Sequence, residues 1–148
     1  MHFIQIGEWI FDSKAQQLSR AQQNIQLEPI SSALLYYLCQ NCERIVTRDN
    51  LICHVWNNRV ISDSAINRVI SMLRKHLGDD RQKPNYIRTV HKQGYLLLVS
   101  IRELSEQESL LHQHKKPQGF IRSLTSQNIL ILILLSVVSW LSISNMLK

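Results

Sequence analysis

Ser64, Asn67, Arg68, Ser71, Arg74 and Lys75 recur at spacings that a helix brings onto one side, and no carboxylate falls among them. With Ile66, Ile70, Leu73 and Leu77 turned to a core at about 100° per residue, Ser64, Arg68, Ser71, Met72 and Lys75 face the other way, and Asn67 and Arg74 flank them. A solvated helix face ordinarily mixes signs, with Glu–Lys pairs one turn apart. Short hydrogen-bonding groups interleaved with cations suit base edges and phosphate oxygens instead. A second set of the same kind follows downstream, where Arg88, Thr89, His91 and Lys92 surround a turn that leads to Gly94.

Other chemistries lack their residues. His2, His54, His76, His91, His112 and His114 are scattered, no serine sits in a G-x-S-x-G context, and no pair of carboxylates shares an apolar stretch. The four glycines are isolated, which excludes a phosphate-cradling or dinucleotide loop. Cys39 and Cys42 form a C-x-x-C, but a zinc site would need Cys53 and His54, adjacent in the chain, to reach the same ion. The expectation is no catalytic residue, no metal and no cofactor.

The charge distribution supports a polyanion partner. The 148 residues carry a formal net charge of +6. Residues 1–43 hold Lys14 and Arg20 against Glu8, Asp12, Glu28 and Glu43, whereas residues 44–92 hold ten basic residues against four acidic ones. A basic surface concentrated in one segment is the electrostatic footprint of a nucleic-acid binder.

The elements that must position these groups can be read from periodicity. Phe3–Ile6, Glu8–Asp12, Gln16–Ser19 and Asn24–Leu27 alternate apolar and polar and predict a small antiparallel meander. Pro29 opens a first helix, with Ile30, Leu34, Tyr37 and Leu38 on its inner face. Thr47 caps a second, whose apolar face is Leu51, Ile52, Val55 and Trp56. Ser62 and Asp63 start a third, which Gly78 ends. Tyr86–Val90 and Tyr95–Val99 predict a hairpin with a basic tip. Three helices followed by a hairpin is the order of a winged helix-turn-helix, an α+β fold in which one helix enters the major groove and the hairpin reaches the groove beside it.

The C-terminal part has a different composition. Ile129–Leu147 is 19 residues without a charge, nearly enough at about 1.5 Å per residue for a hydrocarbon core of about 30 Å. Lys115, Lys116 and Arg122 precede it and Lys148 follows, which by the positive-inside rule places the N-terminal domain in the cytoplasm. Met1–Ile10 has no basic region followed by an apolar one, so no signal peptide is expected there. The predicted organisation is a folded domain over 1–99, a cytoplasmic juxtamembrane linker over 100–128 with helix over Arg102–His112, a transmembrane helix over 129–147, and an extracytoplasmic end at residue 148. A flexible linker of this length reaches roughly 25–30 Å.

Several stretches carry a resemblance. Leu27-Glu28-Pro29, Leu34–Leu38, Ile45–Leu51, Val55-Trp56, VISDSAINRVISMLRKHLGDD at Val60–Asp80 and YIRTVHKQGY at Tyr86–Tyr95 resemble the OmpR/PhoB-type winged-helix DNA-binding domain, and within it the membrane-anchored ToxR/CadC-like regulators. The resemblance covers about two-thirds of the chain. It implies that Asp63–Leu77 is a recognition helix, with Ser64 beside the duplex, Asn67, Arg68 and Ser71 facing bases, and Arg74 and Lys75 holding phosphates. It implies that Arg88 and Thr89 begin the wing and that His91 and Lys92 form its tip. Asn57, Asn58, Arg59, Val60 and Ile61 correspond to the loop that in this family commonly contacts RNA polymerase. Three departures stand out: Glu28-Pro29-Ile30-Ser31 lacks the family's capping box, Met72 replaces a frequent cation, and His91 replaces an arginine or proline.

The implied function is a membrane-anchored, sequence-specific transcriptional regulator, an activator, in the bacterial inner membrane. It binds double-stranded promoter DNA and works without phosphorylation, because the chain carries no receiver domain. The short outer end implies that sensing belongs to a membrane partner protein or a homodimer. A second class stays open, a membrane-tethered interaction module whose degenerate winged helix modulates a partner regulator.

Overall fold

The structure, a computed structural model, describes residues 3–114. The predicted span at 129–147, the linker residues 115–128 and Lys148 lie outside the described residues. Among those described, no helix is long and apolar enough to cross a membrane.

The N-terminal segments pair as a meander of β1 (Phe3–Ile6), β2 (Trp9–Asp12), β3 (Gln17–Arg20) and β4 (Gln23–Gln26). Their ends shift by one residue or so from the predicted spans. Gly7, at φ 59°, makes the tight link between β1 and β2. Ile6, Trp9, Phe11 and Leu18 are shut from solvent and share one core with Leu34, Leu35 and Leu38 of α1 (Pro29–Gln40). Proline at the start suits α1, because it removes a donor that has no partner there. Glu28 makes no side-chain cap, as the missing capping box leads one to expect.

A two-residue strand, β5 (Val46–Thr47), leads into α2 (Arg48–His54). Thr47 caps α2 reciprocally: Thr47 Oγ1 accepts from the Asn50 amide at 3.1 Å, and Asn50 Oδ1 accepts from the Thr47 amide at 3.3 Å. The next helix, α3 (Asp63–Leu77), has the predicted bounds. Ser62 Oγ accepts from the Ala65 amide at 3.3 Å, and Gly78 closes the helix in the left-handed region at φ 68°. Ile66, Val69, Ile70, Leu73 and Leu77 are buried along its inner stripe. Trp9 Nε1 donates to the Leu77 carbonyl at 3.2 Å, which ties the end of α3 to the meander.

The hairpin consists of β6 (Ile87–Val90) and β7 (Gly94–Leu97), with β5 on the outer side of β7. The Gln93 amide donates to the Val90 carbonyl at 3.1 Å across the turn, and Lys92 takes φ 59° at its tip. Gly94 permits the contact with β5. A Cβ there would stand 2.0 Å from the Val46 carbonyl oxygen, at a φ of 151° that side chains avoid.

The described domain does not end at residue 99. Residues Ile101–Leu104 form β8, which pairs with β1 from Phe3↔Leu104 to Ile6↔Ile101 and makes the sheet five-stranded in the order β4-β3-β2-β1-β8. Leu104 is buried there. The helix that follows is α4 (Glu106–His114), not Arg102–His112. Ser105 caps it, with the Glu108 amide donating to Ser105 Oγ at 3.3 Å and the Ser105 amide to Glu108 Oε2 at 3.0 Å. Part of the predicted linker is therefore domain structure, because β1 offers a free edge that Ile101–Leu104 can satisfy.

Candidate nucleic-acid interface

The outward side of α3 is open. Ser64, Asn67, Arg68, Ser71 and Lys75 are exposed, while Met72 is half-buried. Arg88, Thr89, His91 and Lys92 are exposed on the hairpin. Between the two elements lies a polar cleft of about 220 Å³. It brings together Asn67, Ser71 and Arg74 from α3 with Thr89, His91 and Lys92 from the hairpin, and its lining contains no carboxylate. Ser64, Arg68, Lys75 and Arg88 do not line it.

Two cations of this cleft were not singled out by the sequence. Arg48, at the first position of α2, lies with its guanidinium 5.4 Å from the centroid of the Tyr95 ring. Its Nε approaches Asp63 Oδ1 at 3.6 Å, too long for a hydrogen bond, and has no hydrogen-bond partner within the described residues. An ion pair with a carboxylate as exposed as that of Asp63 contributes little, so the remaining guanidinium donors are available to an anion. Arg81 enters from the loop after α3. A cation immediately after the Thr47 cap was the one available sequence signal for Arg48; Arg81 gave none.

Arg74 corrects an expectation. It was expected to flank the open face and hold a phosphate, but it is 7% exposed. Its Nη2 donates to the Ile87 carbonyl at 2.8 Å and to Thr89 Oγ1 at 2.9 Å, and its Nε reaches the same carbonyl at 3.3 Å. Burial lowers its pKa, opposed by the nearby Asp79 carboxylate. The reason is depth: helical projection gives an angle, and the hairpin packs over that angle.

Asn67 is also engaged, since the Tyr95 hydroxyl donates to its Oδ1 at 2.7 Å. The loop at Asn57–Ile61 sits elsewhere. Asn57 and Asn58 both take left-handed backbone, at φ 51° and 59°, and Val60 is fully exposed. Beside it, Ile30, Ala33, Val55, Trp56 and Arg59 line a shallow groove.

The thiols are free. Cys39 is buried, Cys42 donates to the Val99 carbonyl at 3.2 Å, and Cys53 is exposed. Among the described residues, no three His, Cys, Asp or Glu side chains are grouped to hold a metal ion.

Comparison with known proteins gives a consistent picture. The profile of the family described as "Transcriptional regulatory protein, C terminal" matches residues 22–97. The chain is 37% identical over 106 residues to the "Transcriptional activator CadC" of Escherichia coli, covering 71% of this chain and 21% of that protein. It is 28% identical over 126 residues to the "Cholera toxin transcriptional activator" of Vibrio cholerae, covering 79% of this chain and 43% of that protein. The chain thus spans less than half the length of these relatives. The solved DNA-binding domain of E. coli CadC superposes with a TM-score of 0.64 at 33% identity, over 70% of this chain and 98% of that one. The Klebsiella pneumoniae RstA DNA-binding domain, solved in complex with the RstA box, superposes with a TM-score of 0.57 at 28% identity, over 66% of this chain and 97% of that one.

Proposed function

We propose, from the premise that this chain belongs to the family of transcriptional regulatory protein C-terminal domains, of the OmpR/PhoB winged-helix type, that it is a membrane-anchored, sequence-specific DNA-binding regulator that activates transcription. The carrying observation is the acid-free cleft between the open face of α3 and the hairpin. Phosphates approach Arg48, Arg81, Lys75, Arg88 and Lys92, and each contact adds about 0.9 to the slope of log K against log salt. Arg68, Asn67 and Ser71, on the open face of α3, meet base edges in the major groove, each good pair discriminating by about 1–3 kcal/mol. His91 and Lys92 reach the neighbouring groove from the wing tip.

The uncharged stretch Ile129–Leu147 and the cations before it support an anchor in the bacterial inner membrane with the winged helix in the cytoplasm. On this reading residues 1–104 form the DNA-binding domain, and a cytoplasmic segment from Ser105 to Asn128 leads to the span. The loop at Asn57–Ile61, exposed over Asn57–Val60, touches RNA polymerase. No phosphorylation is required, and the signal arrives through a membrane partner protein or a second copy of the chain.

A gel shift of the full-length chain in detergent on promoter fragments, at about 50 and 200 mM salt, tests the reading. Binding should fall steeply with salt. Arg68→Ala should relax site preference, whereas Lys92→Ala should weaken specific and random duplex about equally. Absence of any salt-dependent shift, with binding to another regulator retained, would establish the tethered interaction module instead.

A further inference from the structure

Asp79 and Arg74 hold one residue of the wing by both of its backbone polar groups. Ile87 is fully buried at the start of β6. Its amide donates to Asp79 Oδ2 at 2.8 Å, and its carbonyl accepts from Arg74 Nη2 at 2.8 Å. Asp79 Oδ1 also receives the amides of Asn85 at 2.6 Å and Tyr86 at 3.2 Å, the two residues that lead into the strand. Arg74 Nη2 reaches on to Thr89 Oγ1. The two clamping residues are fixed relative to each other, because the Asp79 amide donates to the Arg74 carbonyl at 2.8 Å around the left-handed Gly78. The end of α3 and the first strand of the wing are therefore tied to each other through Ile87.

We propose that Arg74 and Asp79 are positioning residues that set the wing against the recognition helix, so that Asp79, a negative charge in a nucleic-acid-binding domain, strengthens DNA binding. The inference rests on the DNA-binding reading above. It reverses the simple electrostatic expectation for both residues. A carboxylate near a duplex ordinarily repels it, and an arginine in this helix ordinarily donates to phosphate. Here the carboxylate is spent on three backbone amides and the guanidinium on a carbonyl and a hydroxyl, so each acts on DNA through the position of Lys92 at the wing tip. Nη2 alone donates to both the Ile87 carbonyl and Thr89 Oγ1 while Nε meets the same carbonyl, and this rigid planar two-nitrogen geometry is not reproduced by the single, differently placed nitrogen of a lysine.

The test uses the full-length chain in detergent with the variants Asp79→Asn and Arg74→Lys, each alone and combined with Lys92→Ala. Binding to a specific duplex is measured by fluorescence anisotropy across salt, at a temperature where circular dichroism shows every variant folded. Positioning predicts that both substitutions weaken binding fivefold or more although neither removes a positive charge. It predicts that the salt slope falls by about 0.9 as the Lys92 contact is lost. In the Lys92→Ala background the further loss should shrink below about twofold, because the contact they act through is already gone. Asp79→Asn that binds as well as the wild type or better, or a loss undiminished in the Lys92→Ala background, overturns the inference. Should Asp79→Asn fail to fold, Arg74→Lys decides by the same criteria. A wild-type chain that binds no duplex overturns the functional reading itself, a result distinct from either.

Discussion

The hydroxyl of Tyr95, a residue 1% exposed on β7, donates to Oδ1 of Asn67 on α3 at 2.7 Å. A strand of the hairpin thereby orients an amide on the open face of α3. With Oδ1 turned to Tyr95, the amide NH2 is the group left to offer, a donor suited to purine N7 or O6 in the major groove. Replacing Tyr95 by Phe keeps the ring and removes only the hydroxyl. The expected result is a loss of about fivefold in affinity for the specific site, from a hydrogen bond worth about 1 kcal/mol, with random-duplex affinity unchanged. Anisotropy titrations on specific and scrambled duplexes compare the two. Equal losses on both would assign Tyr95 to packing alone.

The contrast between Asn67 and Arg74 shows what a sequence reveals of such a site. The bounds of α3 were readable because the signals are local: Ser62, the apolar stripe and Gly78 lie within one helix length. The exposure of Asn67, Arg68, Ser71 and Lys75 followed from angle alone. The burial of Arg74 did not, since the Ile87 carbonyl that captures it arrives from another element. Strands β5 and β8 were missed for the same reason. Val46–Thr47 pairs with residues nearly fifty positions on, and Ile101–Leu104 pairs with the first strand of the chain. Val46–Thr47 is too short to show a period, and Ile-Arg-Glu-Leu at Ile101–Leu104 does not alternate.

Gly94 should tolerate no side chain. The Val46 carbonyl that a Cβ would strike is backbone in a paired strand, so the clash cannot be relieved by a rotamer change. Gly94→Ala is expected to cost more than about 3 kcal/mol and lower the melting temperature by more than about 10 °C. Thermal circular dichroism measures it. A shift within a degree or two of wild type would show that β5 can leave β7 freely.

Cys39 gives the domain a sensitivity to high pH. Burial is the main cause, with Cys42 adding to it, of a thiol pKa raised from 9.0 to about 12. The unfolded chain therefore releases this proton at lower pH than the folded one. Stability from this group is fully present below about pH 9 and is lost as pH climbs from there toward 12, by up to about 1.4 kcal/mol per pH unit. Urea midpoints at pH 8, 9, 10 and 11 should fall more steeply for wild type than for Cys39→Ala above pH 9. The exposed Cys53 should react with a maleimide at pH 7.5 while Cys39 stays protected until the domain unfolds. Parallel pH dependences for the two proteins would remove the thiol as the cause.

The return of β8 to the N-terminal sheet makes the segment after the wing part of the fold. A chain ending at residue 99 leaves the β1 edge unpaired and exposes apolar surface that Leu104, 3% exposed, now covers. Burial of a leucine side chain alone contributes about 2 kcal/mol. Truncation after residue 99 should therefore lower the melting temperature by about 10 °C relative to truncation after residue 114. Well below both transitions the two should bind a specific duplex alike, because no residue of β8 lines the cleft between α3 and the wing. Equal melting temperatures would mean that the β1–β8 pairing contributes nothing to the domain. Unequal affinities at low temperature would mean that β8 reaches the DNA-binding surface.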